Sequence, residues 1–456
     1  MLRRASIALI GLLAYGAGAI CQTTAPSQTA KKKPARKTRK KKTRAAPVRH
    51  YAPPRVSAGV RAASLQKVAL GLDARPDPVI DRPGALVPFF ERLYRLSSAD
   101  GPAVHILHFG DSHTAADDWT GALRELFQQR FGDGGAGFSM AGTPFKGYRR
   151  FDVRGGETKA WESEGLRTGE GDGYFGLGGV SISTERAGQM IYLDADCDSV
   201  EVDYLQQPGG GRIALTDNGE TVEETSTEGP FAPGAISHAV TPGHHRFEVR
   251  TLEPSPVRLF GWVTDKAKGI TYESMGINGA EAALIDRWDE KMHDYYVARR
   301  DPALIVLAYG TNEAGDSKWT EESYLETFAA ILQRLRRAAP AASILVLGPP
   351  DRFYRVKGRW KPYDAVDRII AAQQEACRQN HCAYWNTRAR MGAEGSMVNW
   401  VYAGLAQGDY VHFTSLGYQR LASVLFQDIM RLYESYLKVR PEVSNQATDE
   451  QTSQDH

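Results

Sequence analysis

The stretch Val104-His105-Ile106-Leu107-His108-Phe109-Gly110-Asp111-Ser112-His113 decides how this chain reads. An apolar run of strand length ends in Gly-Asp-Ser-His. Trp119, Leu123, Leu126, Phe127 and Arg130 then follow at helical spacing, with Gly132-Asp133-Gly134 as the stop. Ser112 therefore stands on a strand-to-helix turn. Such a turn lifts a hydroxyl clear of a sheet's carboxyl edge and sets its backbone N–H at a helix start, where negative charge is favoured. That suits a nucleophile whose attack creates an oxyanion. Gly-Asp-Ser is also ordinary turn chemistry, so the rest of the chain has to decide.

Working outward, further strand-like runs lie at residues 270–274, 303–309, 343–348 and 383–386. Helical faces lie between or after them: Tyr324, Phe328, Ile331, Leu332 and Leu335 form one, and Leu421, Val424, Leu425, Ile429 and Leu432 another. Continuous apolar strands alternating with amphipathic helices predict a parallel sheet covered on both faces, a three-layer α/β/α domain. Between residues 146 and 266 the helical period vanishes. Short alternating runs at 199–205, 212–216, 245–251 and 257–263 appear among Gly- and Pro-rich turns, which predicts a β-sandwich inserted into the α/β domain. The expected organisation is a first α/β segment over 61–145, the insert over 146–266, a second α/β segment over 267–438 and a disordered tail over 439–456.

Residues 1–19 read as a secretory signal: Arg3 and Arg4 precede an apolar run, and Ala17-Gly18-Ala19 supplies small residues for cleavage. Export to a periplasmic or cell-envelope location is the expectation. Cys21 invites a lipoprotein reading, but Ile20 sits where a lipobox wants a small residue. Residues 20–60 read as a basic disordered tether. Its segment 31–44, opening on Lys31 and closing on Arg44, holds ten Lys or Arg in fourteen positions. Residues 1–60 carry 14 Lys or Arg and no carboxylate, whereas the remaining chain carries 42 against 54 Asp or Glu. The tether is thus either a solvated spacer or an attractor for an anionic polymer or membrane surface. Nucleic acid is not an expected partner, since no recognition module is present. Cys377 and Cys382 lie close enough in sequence for a local disulfide, which would leave Cys197 free and buried. No Cys/His spacing suggests structural zinc.

Three later blocks carry chemistry. Met275-Gly276-Ile277-Asn278-Gly279-Ala280 follows the 270–274 strand; as a plain βα turn it is unremarkable in composition, but Gly279 lets its backbone N–H approach a reacting oxygen. Residues 303–309 run into Gly310-Thr311-Asn312-Glu313, where Asn312 can cap a turn or point its side-chain N–H at that same oxygen. Asp409-Tyr410-Val411-His412 precedes the last helix; an isolated Asp-x-x-His is common and mostly structural. All four blocks fall at carboxyl ends of strands or in the loops after them, the edge where an open parallel sheet binds ligands.

As a set, these blocks resemble the SGNH (GDSL-type) hydrolases: Gly110-Asp111-Ser112-His113 is similar to the nucleophile block, Gly279 to the glycine block, Gly310-Thr311-Asn312-Glu313 to the asparagine block, and Asp409 with His412 to the terminal block. Within that superfamily, His108-Phe109-Gly110-Asp111-Ser112-His113, the glycine cluster from Phe131 to Gly137, Gly276-Ile277-Asn278-Gly279-Ala280 and the large β insertion between the first two blocks resemble the Ape-type peptidoglycan O-acetylesterases, whose insert is similar to a carbohydrate-binding module. The resemblance implies Ser112 as nucleophile, His412 as general base and acid, and Asp409 as its orienting partner. The oxyanion hole would be formed by the N–H groups of Ser112 and Gly279 with the Asn312 side chain. It further implies deacetylation of O-acetylated peptidoglycan or another O-acetylated glycan, with no metal and no cofactor. His113 stands where the usual Gly-Asp-Ser-Leu has Leu.

Other readings compete with this one. The same residues would serve an acetylesterase or acyltransferase acting on another polysaccharide. Asp111-Ser112-His113 also fits the opening of a metal-dependent phosphoesterase, although the Gly-Asn-His block expected there is absent. A non-catalytic wall-binding protein is the remaining alternative.

Overall fold

The computed structural model describes residues 51–97, 101–167 and 170–440. The expected signal, Cys21, residues 31–44 and nearly all of the expected tail lie outside the described residues. The described chain begins sooner than the expected tether end at residue 60. Tyr51 pairs through its N–H with the Gln407 side chain (3.1 Å), and its carbonyl accepts the Gly408 N–H (2.8 Å). A helix, Ala58–Asp73, follows, capped by the Ser57 hydroxyl. Residues 51–60 are therefore part of the fold, because their backbone has partners.

Five strands form a parallel sheet: β1 (Val104–Gly110), β2 (Ile270–Gly276), β3 (Leu304–Ala308), β4 (Ser343–Leu347) and β5 (Ala383–Trp385), in the order β2-β1-β3-β4-β5. Alternation along each strand divides the buried side chains between two cores. Leu107 and Phe109 of β1, Ile305 and Leu307 of β3, and Ile344 and Val346 of β4 enter one core. Val104 and Ile106, Leu304 and Val306, and Leu345 and Leu347 enter the other. A strand apolar at every position must be covered on both faces, and here it is. The first core is closed by Tyr324, Phe328 and Leu332 of α3 (Glu321–Ala338) and by Ile369 and Ala376 of α4 (Ala365–Gln379), and the second by Trp119, Leu123 and Phe127 of α2 (Asp118–Phe131) and by Leu421 and Leu425 of α5 (Ser415–Val439). The first helix of the series, α1 (Ser112–Ala115), is a single turn at the end of β1. This is the three-layer α/β/α domain expected from sequence.

Between β1 and β2 the described residues build a β domain of nine strands in one hydrogen-bonded network. Two of them are long, Met190–Gln206 and Ala232–Thr251, and pair across a bulge at Cys197/Ser199. Ile191, Leu193, Ala195, Cys197, Val200 and Val202 share a core with Ile213, Leu215, Phe247, Val249 and Trp262, to which no helix contributes. The sheet must therefore curl round its own apolar face, as a sandwich does. Its opposite face is not free either. Phe138, Met140, Leu205, Phe260 and Val263 join the first α/β core beside Phe109, Ile285, Trp288 and Tyr296. The Tyr296 hydroxyl also reaches the carbonyls of Tyr204 and Gly234 (2.9 and 2.8 Å).

The boundary at residue 146 needs correction. Gly135–Met140, expected within the first α/β segment, is a strand of the β domain and pairs antiparallel with Val257–Asp265. Gly132 does stop α2, its N–H closing on the Gln128 carbonyl (2.9 Å), and the glycines of the strand that follows suit close packing. At Gly137, with φ +65°, a Cβ would lie 2.6 Å from the Glu273 side chain. The expected disulfide is absent: Cys377 and Cys382 are free, buried thiols, with Cys382 Sγ directed at the Asn380 carbonyl (3.4 Å). Cys197 is free and buried, as expected. Among the described residues no helix is long and apolar enough to cross a membrane.

Candidate active site

The order β2-β1-β3 makes β1 a switch point, with its successor on one side and β3 on the other; a crevice opens at the carboxyl ends of such strands. Ser112 lies there as the first residue of α1, with the Asp111 carboxylate capping the turn by accepting the His113 N–H (2.9 Å). At that position the Ser112 N–H has no partner within its own helix. After β2, the Ala280 N–H closes a turn onto the Ile277 carbonyl (3.1 Å), with Gly279 at φ +78°. A turn of this kind needs the left-handed conformation at its third residue, so glycine is favoured there. No atom lies within 4 Å of where a Cβ would be, which leaves the Gly279 backbone open to solvent.

Asn312 follows β3. Its side-chain nitrogen donates to the Ala280 carbonyl (2.7 Å) and stands 3.5 Å from Asp111 Oδ2. The first bond fixes the amide beside the Gly279 turn, and the second N–H has only the long contact with Asp111 to give up to a substrate oxygen. From the loop before α5, Asp409 Oδ1 accepts the N–H groups of Val411 and His412 (3.0 and 3.1 Å), and Oδ2 binds His412 Nδ1 at 2.7 Å. Burial raises the Asp409 pKa, but the His412 bond, the His412 charge and the Val411 and His412 N–H groups together outweigh it and the net shift is downward, so the carboxylate stays ionised. A carboxylate accepts the hydrogen bond of the Nδ1–H, which keeps the proton on Nδ1 and leaves Nε2 as the acceptor. His412 Nε2 lies 2.8 Å from Ser112 Oγ. The sheet edge thus brings together all five residues singled out in the sequence, Ser112, Gly279, Asn312, Asp409 and His412.

Sequence reasoning assigned no role to the groups behind them. Glu313 is fully buried and holds two loops at once, accepting the Ala282 N–H at Oε1 (2.8 Å) and the Gly310 N–H at Oε2 (3.0 Å). It thereby ties the Gly279 turn to the Asn312 turn. Burial pushes its pKa up to about 7 against the pull of the Ala282 N–H and of its own backbone N–H, and Asp111 adds to the rise. Burial also lifts Asp111, to about 6, although the His113 N–H opposes it. His113 is buried against His412, ring centroids 5.2 Å apart, with Nδ1 on the Tyr418 hydroxyl (2.8 Å). Burial holds its pKa well below the usual value, so a neutral ring backs His412. Arg352, in the loop after β4, donates through Nη1 to the Thr311 carbonyl next to Asn312. The signal that could have found Glu313 is its place directly after Asn312, at the third position of a turn where a carboxylate can reach back to backbone N–H groups.

The GDSL-like lipase/acylhydrolase family matches residues 249–420. The match holds Gly279, Asn312, Asp409 and His412 but not Ser112, which the β domain separates from the rest. A solved structure described as a peptidoglycan O-acetylesterase in action is 29% identical, covers 76% of this chain and 96% of its own, and superposes with a TM-score of 0.67. Family two carbohydrate esterases from Clostridium thermocellum (12% identity, 55% of this chain, 94% of that one, TM-score 0.28) and Cellvibrio japonicus (13%, 62%, 98%, 0.26) align too loosely to carry an argument. No curated protein sequence matches the chain. With the match spanning three of its four sheet-edge blocks and one solved structure following most of its length, the chain carries a GDSL-like lipase/acylhydrolase domain, resembles the SGNH hydrolases as a whole and is a carboxylic ester hydrolase.

Proposed function

We propose that this chain is an exported serine esterase that removes O-acetyl groups from peptidoglycan, through an acetyl-Ser112 intermediate. The observation that carries the reading is the unbroken chain from Ser112 Oγ through His412 to Asp409, 2.8 and 2.7 Å, at the sheet edge that also holds Gly279 and Asn312. The substrate rests on likeness to the peptidoglycan O-acetylesterase structure, which extends over the β domain as well as the α/β domain. Export rests on the signal-like residues 1–19.

In this mechanism His412 Nε2 takes the Ser112 hydroxyl proton as Oγ attacks the acetyl carbonyl. The Asp409 carboxylate holds the ring and stabilises its cationic form. Negative charge gathers on the carbonyl oxygen, where the N–H groups of Ser112 and Gly279 and the second Asn312 N–H donate to it. His412 then returns the proton to the departing sugar oxygen. A water molecule, deprotonated by His412, releases acetate from Ser112.

The test is acetate release from O-acetylated peptidoglycan by the purified protein, with Ser112→Ala in parallel. Release that is lost in the variant is expected. Hydrolysis of a simple acetyl ester through Ser112 without release from peptidoglycan would overturn the substrate and leave the esterase.

A further inference from the structure

Beside the site stands a feature that neither the family blocks nor the β domain includes. Strands Phe353–Val356 and Arg359–Pro362 form a hairpin joined by Lys357-Gly358, with φ +48° and +82°. Two positive φ values give the two-residue turn whose twist suits a tight hairpin. Residues 352–363 contain Arg352, Arg355, Lys357, Arg359 and Lys361 and no carboxylate, on a chain whose residues beyond 60 are net acidic. None of the five is in an ion pair with a described carboxylate. Cations left unpaired on an acidic body form a local attractor for negative charge.

The hairpin's two faces differ. Opposed residues in an antiparallel pair share a face. Phe353 and Trp360 lie on the face that meets the catalytic loop: Trp360 stacks on Tyr410 at 4.4 Å, and the Phe353 N–H donates to the Tyr410 carbonyl (3.1 Å). On the other face Tyr354 lies opposite Lys361, and Val356 opposite Arg359. Tyr354 packs on Tyr363 at 4.5 Å, and the Arg352 guanidinium lies over Tyr363 at 4.9 Å. Arg352 in turn bonds the Thr311 carbonyl beside Asn312, and its buried Nε has no partner. A run of aromatic rings and cations about 13 Å long therefore leads from the hairpin tip to the Asn312 side of the site. Aromatic rings offer flat apolar surface to the C–H faces of sugars, and exposed cations pair with carboxylates.

We propose that this face of the hairpin, Tyr354, Arg359 and Lys361 with Tyr363 and Arg352 at its inner end, is the docking track for an anionic glycan strand bearing carboxylates beside its sugar rings. The track feeds acetylated sugars to Ser112. The proposal rests on the esterase reading above and names the surface that grips the polymer for it, a role sequence reasoning would give to the β domain.

The test uses the full chain with Tyr354→Ala, Arg359→Gln and Lys361→Gln combined, none of which touches the catalytic groups. In a Ser112→Ala background, binding is measured to O-acetylated peptidoglycan, to the same material after alkaline removal of its acetyl groups, and to uncharged chitin, each over a salt series. The variant should lose about tenfold in affinity for both peptidoglycan forms, with a shallower salt dependence, and chitin should bind weakly throughout. With Ser112 restored, KM for peptidoglycan should rise about tenfold while kcat/KM for p-nitrophenyl acetate stays unchanged, the pattern of lost ground-state binding. Unchanged binding by the variant, an equal loss on the small ester, or chitin bound as tightly as peptidoglycan would each overturn the track. Hairpin-dependent binding without acetate release would uphold the track and overturn the esterase assignment to peptidoglycan.

Discussion

The two sides of the site are built on opposite electrostatic terms. On the relay side, the side chains of His412 and Asp409 keep 33% and 17% of their surface, and Asp409 gains from being charged. On the oxyanion side, Asp111 and Glu313 are sealed from solvent, and burial raises both their pKa values. The relay is held by one loop, because Asp409 binds both the backbone and the ring of His412 three residues later. The oxyanion side instead joins loops from β1, β2 and β3, and Glu313 joins the last two together with the Asn312 amide. Local geometry builds one side, and buried carboxylates assemble the other.

The sharpest break in that comparison comes from the relay. His412→Ala should reduce kcat on any acetyl ester by at least about 10⁴-fold, since a triad acts as a unit. Thermal stability should stay near wild type, as the imidazole is partly exposed. Retained turnover would remove His412 from the mechanism. Next in size is Asn312→Ala, where losing one oxyanion donor typically costs about 3–4 kcal/mol, or two to three orders of magnitude in kcat. KM should change little. A variant with wild-type kcat would show that the Asn312 amide only braces the Ala280 carbonyl.

The relay side was the more legible one because its chemistry is written in adjacent residues: Gly-Asp-Ser-His after an apolar strand, and Asp-x-x-His before an amphipathic helix. The five parallel strands were legible for the same reason, since a strand buried on both faces is apolar at nearly every position. What was hidden depended on packing that spacing does not encode. Glu313 looks like a solvated helix cap until its burial is known. Gly135–Met140, lying past the Gly132-Asp133-Gly134 stop, reads as the rest of the first α/β segment, whereas its glycines let the backbone of a β-domain strand approach Glu273 and the Thr264 carbonyl. The two long strands of the β domain look shorter because the Cys197/Ser199 bulge resets alternation midway, opposite Gly243. The hairpin escaped because Lys357-Gly358 lacks the Asn or Asp that usually marks such a turn.

The smallest expected effect sharpens the comparison through pH. Glu313 titrates near 4.5 in the unfolded chain and near 7 when folded, so the folded state holds its proton over that window. Its contribution to stability is therefore complete below about pH 4.5 and is lost as pH rises through 7, a swing of about 3 kcal/mol for a shift of that size. Asp111 acts in the same sense between its ordinary 3.8 and about 6. Asp409 has the opposite sign: its contribution is present above 3.8 and is lost only as pH falls below that value, through its lowered folded pKa. Between pH 5 and 7.5 Glu313 and Asp111 should then favour pH 5, whereas buried His113, whose lowered pKa leaves the unfolded imidazole as the one that gains a proton when pH falls through its ordinary 6.5, pulls the other way. Glu313→Gln cannot ionise, and it places an amide NH₂ against one of two backbone donors. Urea denaturation across that window should show lower stability for the variant at pH 5, and its stability should fall less, or rise more, from pH 5 to 7.5 than that of wild type. An unchanged slope would mean that Glu313 is ionised throughout, so that its two loops are bound by a full charge and the two sides of the site are electrostatically alike.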